Sequence, residues 1–119
     1  MGVLIASCNI IPKWYNSSMH VITKKTLVAF WTKHPAAKKP LSDWHTIMEH
    51  ERFADFNDLI LTFGSADYVK PYTVFNIGGN KYRLIVSIHY NNGKVYIREV
   101  FTHPEYDLWT ATLKKRKGK

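Results

Sequence analysis

Between Val74 and Asp107 the chain reads VFNIGGNKYRLIVSIHYNNGKVYIREVFTHPEYD. Apolar and polar residues alternate through three stretches, parted by two glycine-containing turns. That period places successive side chains on opposite sides of a sheet, one dry and one wet. The pattern predicts three antiparallel strands ending at Thr102-His103 and a Glu105-Tyr106-Asp107 corner.

Asn91-Asn92-Gly93 favours a two-residue type I′ turn at Asn92-Gly93, where both central positions need positive φ. Such a turn sets Asn91 against Lys94, Ser87 against Arg98, Ile85 against Val100 and Arg83 against Thr102. One face then carries Tyr82, Leu84, Val86, Ile88, Val95, Ile97 and Phe101, the core side. The other carries Arg83, Ile85, Ser87, His89, Tyr96, Arg98, Val100 and Thr102. A turn around Gly78-Gly79-Asn80 adds Asn76 to this second face, near Arg83. A one-residue bulge would flip part of the assignment. Glu99 falls on the core side and fits badly there.

Helical signals precede the sheet. After an extended piece at Met19-Ile22, Thr23 is placed to cap a helix reaching His34, with Leu27, Val28, Phe30 and Trp31 on one side. His34-Pro35 breaks it. A second helix starts near Pro40 and runs through Leu41, Trp44, Ile47 and Met48. A third, Asp55 to Phe63, is closed by Gly64, and Asp67 to Pro71 reads as a loop.

At 119 residues the chain suffices for one modest core. With 45% hydrophobic residues it should fold. Its apolar runs, such as LIVSI, are far shorter than a membrane span. Residues 1–18 lack a basic n-region and read as a leader, with Met19 an equally good start and the domain proper at 19–119. The single cysteine, Cys8, excludes an internal disulfide framework and suits a reducing cytoplasm.

Seventeen Lys and Arg against nine Asp and Glu give a formal charge of +8. Five of the positives lie in the tail, at Lys114, Lys115, Arg116, Lys117 and Lys119. Two readings stay open for that tail: a solvated terminus, or an electrostatic tether to RNA or ribosome.

A basic, polar sheet surface suits gripping and cutting a phosphodiester backbone. Arg83 and Arg98 supply fixed planar donors for the nonbridging oxygens of a five-coordinate phosphorus. The plainer alternative is that they only keep an exposed sheet soluble. His103 can exchange a proton near neutral pH. Tyr106 can do so only if neighbouring cations depress its pKa; otherwise it orients or stacks. THPEYD is equally legible as a strand-to-helix transition. Asn76, Asn80 and Lys81 flank the glycine turn and could contact RNA. No metal or cofactor is expected: His45 and His50 miss the H-E-x-x-H spacing, and the other histidines are scattered.

Three segments together, MHVIT at Met19-Thr23, VFNIGGNKYRLIV at Val74-Val86 and YIREVFTHPEYD at Tyr96-Asp107, carry a family likeness. From Met19 onward the sequence resembles the HigB toxins of bacterial type II toxin–antitoxin modules, within the RelE-like superfamily. The resemblance implies an α+β fold, with N-terminal helices packed on one face of a small antiparallel sheet and a short C-terminal helix or tail. It also implies a cytoplasmic endoribonuclease that cuts translated mRNA in the ribosome by metal-free 2′-hydroxyl attack. A HigA-like helix-turn-helix antitoxin would neutralise it, and operator DNA would be reached only through that antitoxin. Carried over by position, Arg83, Arg98, His103 and Tyr106 are the catalytic candidates. Asn76, Asn80, Lys81, Lys114, Lys115 and Arg116 are the RNA-binding ones. The superfamily varies its acid and base, so that assignment stays open. Two rivals remain: a ParE-like topoisomerase inhibitor on the same fold, and an inert partner whose leader blocks the site.

Overall fold

The computed structural model describes residues 19–117. The leader expected at 1–18, with Cys8, and Lys119 lie outside them. In chain order the elements are β1 (His20–Ile22), α1 (Lys24–Lys33), a 3-10 turn (Pro35–Ala37), α2 (Lys38–His50), α3 (Phe56–Thr62), β2 (Asp67–Val69), β3 (Tyr72–Ile77), β4 (Tyr82–His89), β5 (Lys94–Thr102) and α4 (His103–Lys117). The five strands form one sheet in the order β1-β5-β4-β3-β2. The fold is α+β, as expected. The sheet is mixed rather than antiparallel, because β1 lies parallel to β5 while the other neighbours run antiparallel.

Helices α1 and α2 cover one sheet face. In α2, Leu41, Trp44 and Met48 recur at helical spacing and are buried. Trp44 meets Phe75 edge-on at 5.4 Å, and Phe63 meets Phe75 at 4.9 Å. Helix α2 begins at Lys38, two residues earlier than expected, so Pro40 still falls in the first turn, where no N–H is needed. Leu27 is the buried residue of α1; Val28, expected on its inner side, is exposed. Thr23 precedes α1 in a left-handed conformation without a side-chain cap. Asp55 does cap α3, accepting from the Asp58 N–H at 2.9 Å. The expected loop at Asp67 to Pro71 instead contributes the edge strand β2, followed by a turn with a cis Lys70–Pro71 bond.

The β4–β5 register differs from expectation for two identifiable reasons. Gly93 alone in that loop has positive φ, 70°, so a type I′ turn at Asn92-Gly93 cannot form. Four residues, Tyr90 to Gly93, bridge the closing pair His89–Lys94. Arg52 holds this loop from outside, donating to the carbonyls of Tyr90 at 3.0 Å and Asn91 at 3.4 Å. Its guanidinium would collide with a Cβ at Gly93. The resulting two-residue offset preserves faces, so Ser87 opposes Tyr96 rather than Arg98.

A bulge at Arg98 then changes the parity. Val86 pairs with Ile97, Ile85 with Glu99, Leu84 with Val100 and Arg83 with Phe101. Val100 therefore joins the core, and Thr102, opposite Tyr82, turns to the same side. Phe101 moves to the outer face. Glu99 is exposed, which removes the misfit of a carboxylate on the dry side.

Helix α4, expected as a short helix or tail, is 15 residues long and packs on the outer face. Trp109 lies 5.8 Å from Phe101, 5.8 Å from Tyr106 and 5.7 Å from Tyr72. Val74 and Ile85 point to this side and are almost wholly buried, making a small second apolar layer. The outer face is thus split. Its β3 side lies under α4, while the β1–β5–β4 corner, with Ser87, His89, Lys94 and Tyr96, stays open.

Candidate active site

The tip of the β3–β4 hairpin meets the start of α4, and the strongest candidates gather there. Gly78 and Gly79 turn the chain with φ of 63° and 72°, and Asn76 stands directly opposite Arg83. The His103 N–H donates to the Lys81 carbonyl at 3.1 Å, tying the helix start to the tip. Thr102 and Glu105 form a reciprocal cap: the Thr102 N–H donates to Glu105 Oε1 at 2.9 Å, and the Glu105 N–H to Thr102 Oγ1 at 3.5 Å. THPEYD is therefore a strand-to-helix transition that also presents its histidine and tyrosine.

Arg83 is only 8% exposed. Its Nη1 donates to the carbonyls of Asn80 and Tyr82, both at 3.2 Å, and its Nη2 to Asn80 Oδ1 at 2.9 Å. The guanidinium carbon lies 5.5 Å from the centre of the Tyr106 ring. This differs from the solvent-facing arginine expected from alternation, because α4 folds over its end of the sheet. Of the five guanidinium N–H groups these bonds engage three, leaving Nε and one on Nη2 without a hydrogen bond among the described residues.

Tyr106 packs against both Arg83, 5.5 Å from its ring centre, and Trp109, at 5.8 Å. Burial pushes its phenol above the ordinary value; Asp67 and Asp107 add to the rise, and Arg83 opposes it. The depressed phenol that proton abstraction would need is absent, so Tyr106 can donate, orient or stack. His103 is half exposed, with Nδ1 3.3 Å from Asp107 Oδ2 one helical turn on. Nε2 has no hydrogen-bond partner among the described residues.

Arg98 stands apart from this corner. The bulge turns it outward, where Nε donates to Ser87 Oγ at 3.1 Å and the guanidinium lies 5.7 Å from the Tyr96 ring centre. Both arginines project from the face opposite the core. Along β4 their positions are two to three residues apart, about 7–10 Å at ~3.4 Å per residue. Lys81 and Asn80 are exposed at the tip, and Asn76 is half-buried. Lys114 is exposed on α4; Lys115 and Arg116 continue that helix, and their side chains lie outside the described residues. Sequence reasoning missed Trp109 as a support for Tyr106. It did place Ser87 opposite Arg98 with Tyr96 on the same face; the three do meet there, although Ser87 pairs with Tyr96 and reaches Arg98 across the bulge.

Among the described residues no three His, Cys, Asp or Glu side chains gather as a metal cluster, and no helix is long and apolar enough to cross a membrane. Residues 37–109, which contain all four catalytic candidates, match the HigB toxin family, described as the RelE-like toxic component of a toxin-antitoxin system. The chain is similar to the mRNA interferase toxin HigB of Escherichia coli K12, with 38% identity over 104 residues, 85% of this chain and 99% of the relative. The mRNA interferase HigB of Shigella flexneri matches to the same extent. That of Escherichia coli O6:H1 is 24% identical over 102 residues, 83% of this chain and 99% of the relative. By that extent of likeness, and with the α+β architecture expected of such toxins, the chain belongs to the HigB family of RelE-like toxins.

Proposed function

We propose that this toxin is an endoribonuclease that cuts mRNA on the translating ribosome, by attack of a ribose 2′-hydroxyl on the adjacent phosphorus. The observation that carries the reading is the corner on the outer face of the sheet where Arg83 touches Tyr106 and His103 stands three residues before Tyr106 at the start of α4. Arg83 is already fixed by three hydrogen bonds, so its remaining donors reach a developing phosphorane charge with little reorganisation. Tyr106, protonated at neutral pH, donates to the phosphate or stacks on a base.

His103 exchanges the proton. As base it takes the 2′-hydroxyl proton while the 2′-oxygen bonds phosphorus; as acid it protonates the departing 5′-oxygen. Either way the products are a 2′,3′-cyclic phosphate and a 5′-hydroxyl. Asp107, 3.3 Å from Nδ1, orients the ring. The ribosome supplies the in-line geometry, which lets so few protein groups suffice. Asn76, Asn80, Lys81 and the Lys114–Arg116 run guide the RNA, and Arg98 holds a neighbouring phosphate. A HigA-like antitoxin neutralises the toxin in the cytoplasm by covering this basic face, and operator DNA is reached only through it.

Primer extension on cellular mRNA after brief induction tests the reading, with His103→Ala beside wild type. Codon-positioned breaks that disappear in a folded His103→Ala protein are expected. Arrest with DNA damage and no such breaks would overturn it in favour of topoisomerase inhibition.

A further inference from the structure

We infer that the open corner of the outer face, centred on Tyr96, is a second RNA-binding site that holds an unpaired stretch of the strand away from the cleaved link. The inference rests on the RNA-cleaving reading and extends it. Two independent features of the sheet register build the site.

The first is a row of nitrogen-bearing side chains across three strands. The registers set His20 on β1 against Lys94 on β5, and Lys94 against His89 on β4. All three are exposed, and none has a carboxylate partner among the described residues. Lys94 supplies the charge that attracts a polyanion and releases counterions when one binds, and the two imidazoles flank it as hydrogen-bonding groups.

The second is an aromatic platform beside the row. Tyr96, flanked by Ile22 and Ser87 across the strands, is half-buried. The His89 ring meets it edge-on, at 5.3 Å and 88°, and the Arg98 guanidinium carbon lies over it, 5.7 Å from the ring centre. Ser87 steadies Arg98 by accepting from its Nε. A ring braced this way, beside cations, has the composition of surfaces on which unpaired bases stack while phosphates are neutralised alongside. An A-form duplex keeps its bases stacked on one another and would leave the Tyr96 ring unused. Arg83 and His89 are six residues apart on β4, roughly 20 Å at ~3.4 Å per residue. The site therefore engages nucleotides beyond the scissile pair.

The test uses the full chain and a fully 2′-O-methylated 12-nucleotide single strand, which binds but cannot be cut, with fluorescence anisotropy read across a salt series. His89→Gln with Lys94→Gln should weaken binding about ten-fold at low salt and flatten the dependence of log K on log salt. Tyr96→Leu should also weaken it about ten-fold while leaving the slope unchanged. Circular dichroism melts accompany each variant, and Lys94→Glu, a change at an exposed position, serves should Tyr96→Leu fail to fold. Affinity and slope like wild type in the folded variants would overturn the site. So would loss of antitoxin binding with RNA binding intact, which would make the corner a protein interface, and so would a duplex that binds as tightly as the single strand. Wild-type protein that binds the methylated strand by these residues yet leaves mRNA uncut would instead count against the cleavage reading alone.

Discussion

At the scale of single residues, the two arginines that alternation placed on one face do share it, but in different states. Arg83 is locked under α4 and against the hairpin tip, and Arg98 is exposed on a bulge. A lysine cannot reproduce the fork that spans Asn80 and Tyr82. Arg83→Lys is therefore expected to lose about 100-fold or more in cleavage, the scale for losing one preorganised donor, while still binding antitoxin. Tyr106 makes the opposite case. Because burial raises its pKa, the phenol stays protonated from pH 6 to 9 and contributes no ionisation to the rate profile. Tyr106→Phe should keep the shape of that profile and lose about ten-fold or less. A profile that changes shape on this substitution would give the phenol a proton-transfer role.

At the scale of elements, the hairpin motif was legible because alternation survives a two-residue error in turn length. What could not be read was the loop, since Arg52, distant in sequence, holds it open. The bulge was equally hidden. Val100 and Glu99 compete for the inward position, and only the packing at Leu84 decides between them. The extent of α4 was invisible as well, because its inner side is aromatic and short while its C-terminal end is a basic run. Two outcomes follow from the elements. Removing the cap by Thr102→Ala should cost about 1 kcal/mol, a drop of several degrees in Tm, and loosen both His103 and Tyr106. Deleting Arg98 removes the bulge yet leaves Val100 inward and Glu99 outward, so the protein should fold; cleavage should still fall because the outward arginine is gone. Aggregation of the deletion would contradict the register argument.

For the whole molecule, the core was the easiest part to foresee and the division of the outer face the hardest. Met19 is buried, its N–H donates to the Glu51 carbonyl at 2.8 Å, and the His20 N–H donates to Gly93 at 2.7 Å. A chain started at Met19 keeps these anchors and should melt within about 2 °C of the full chain. Equal toxicity from the two starts would exclude a blocking leader. The charge of +8 acts on the molecular scale too: RNA affinity should fall steeply with salt, more so for the full chain than after Lys114, Lys115 and Arg116 become glutamine.

We propose that RNA is cut at the Arg83–Tyr106–His103 corner through the ribose hydroxyl. Ribosomes translating a defined message, incubated with wild type or folded Arg83→Lys protein, test it through the ends produced. Wild type is expected to leave 2′,3′-cyclic phosphate and 5′-hydroxyl ends, formed about 100-fold more slowly by the variant. Breaks ending in a free 3′-hydroxyl, or equal rates from both proteins, would contradict it.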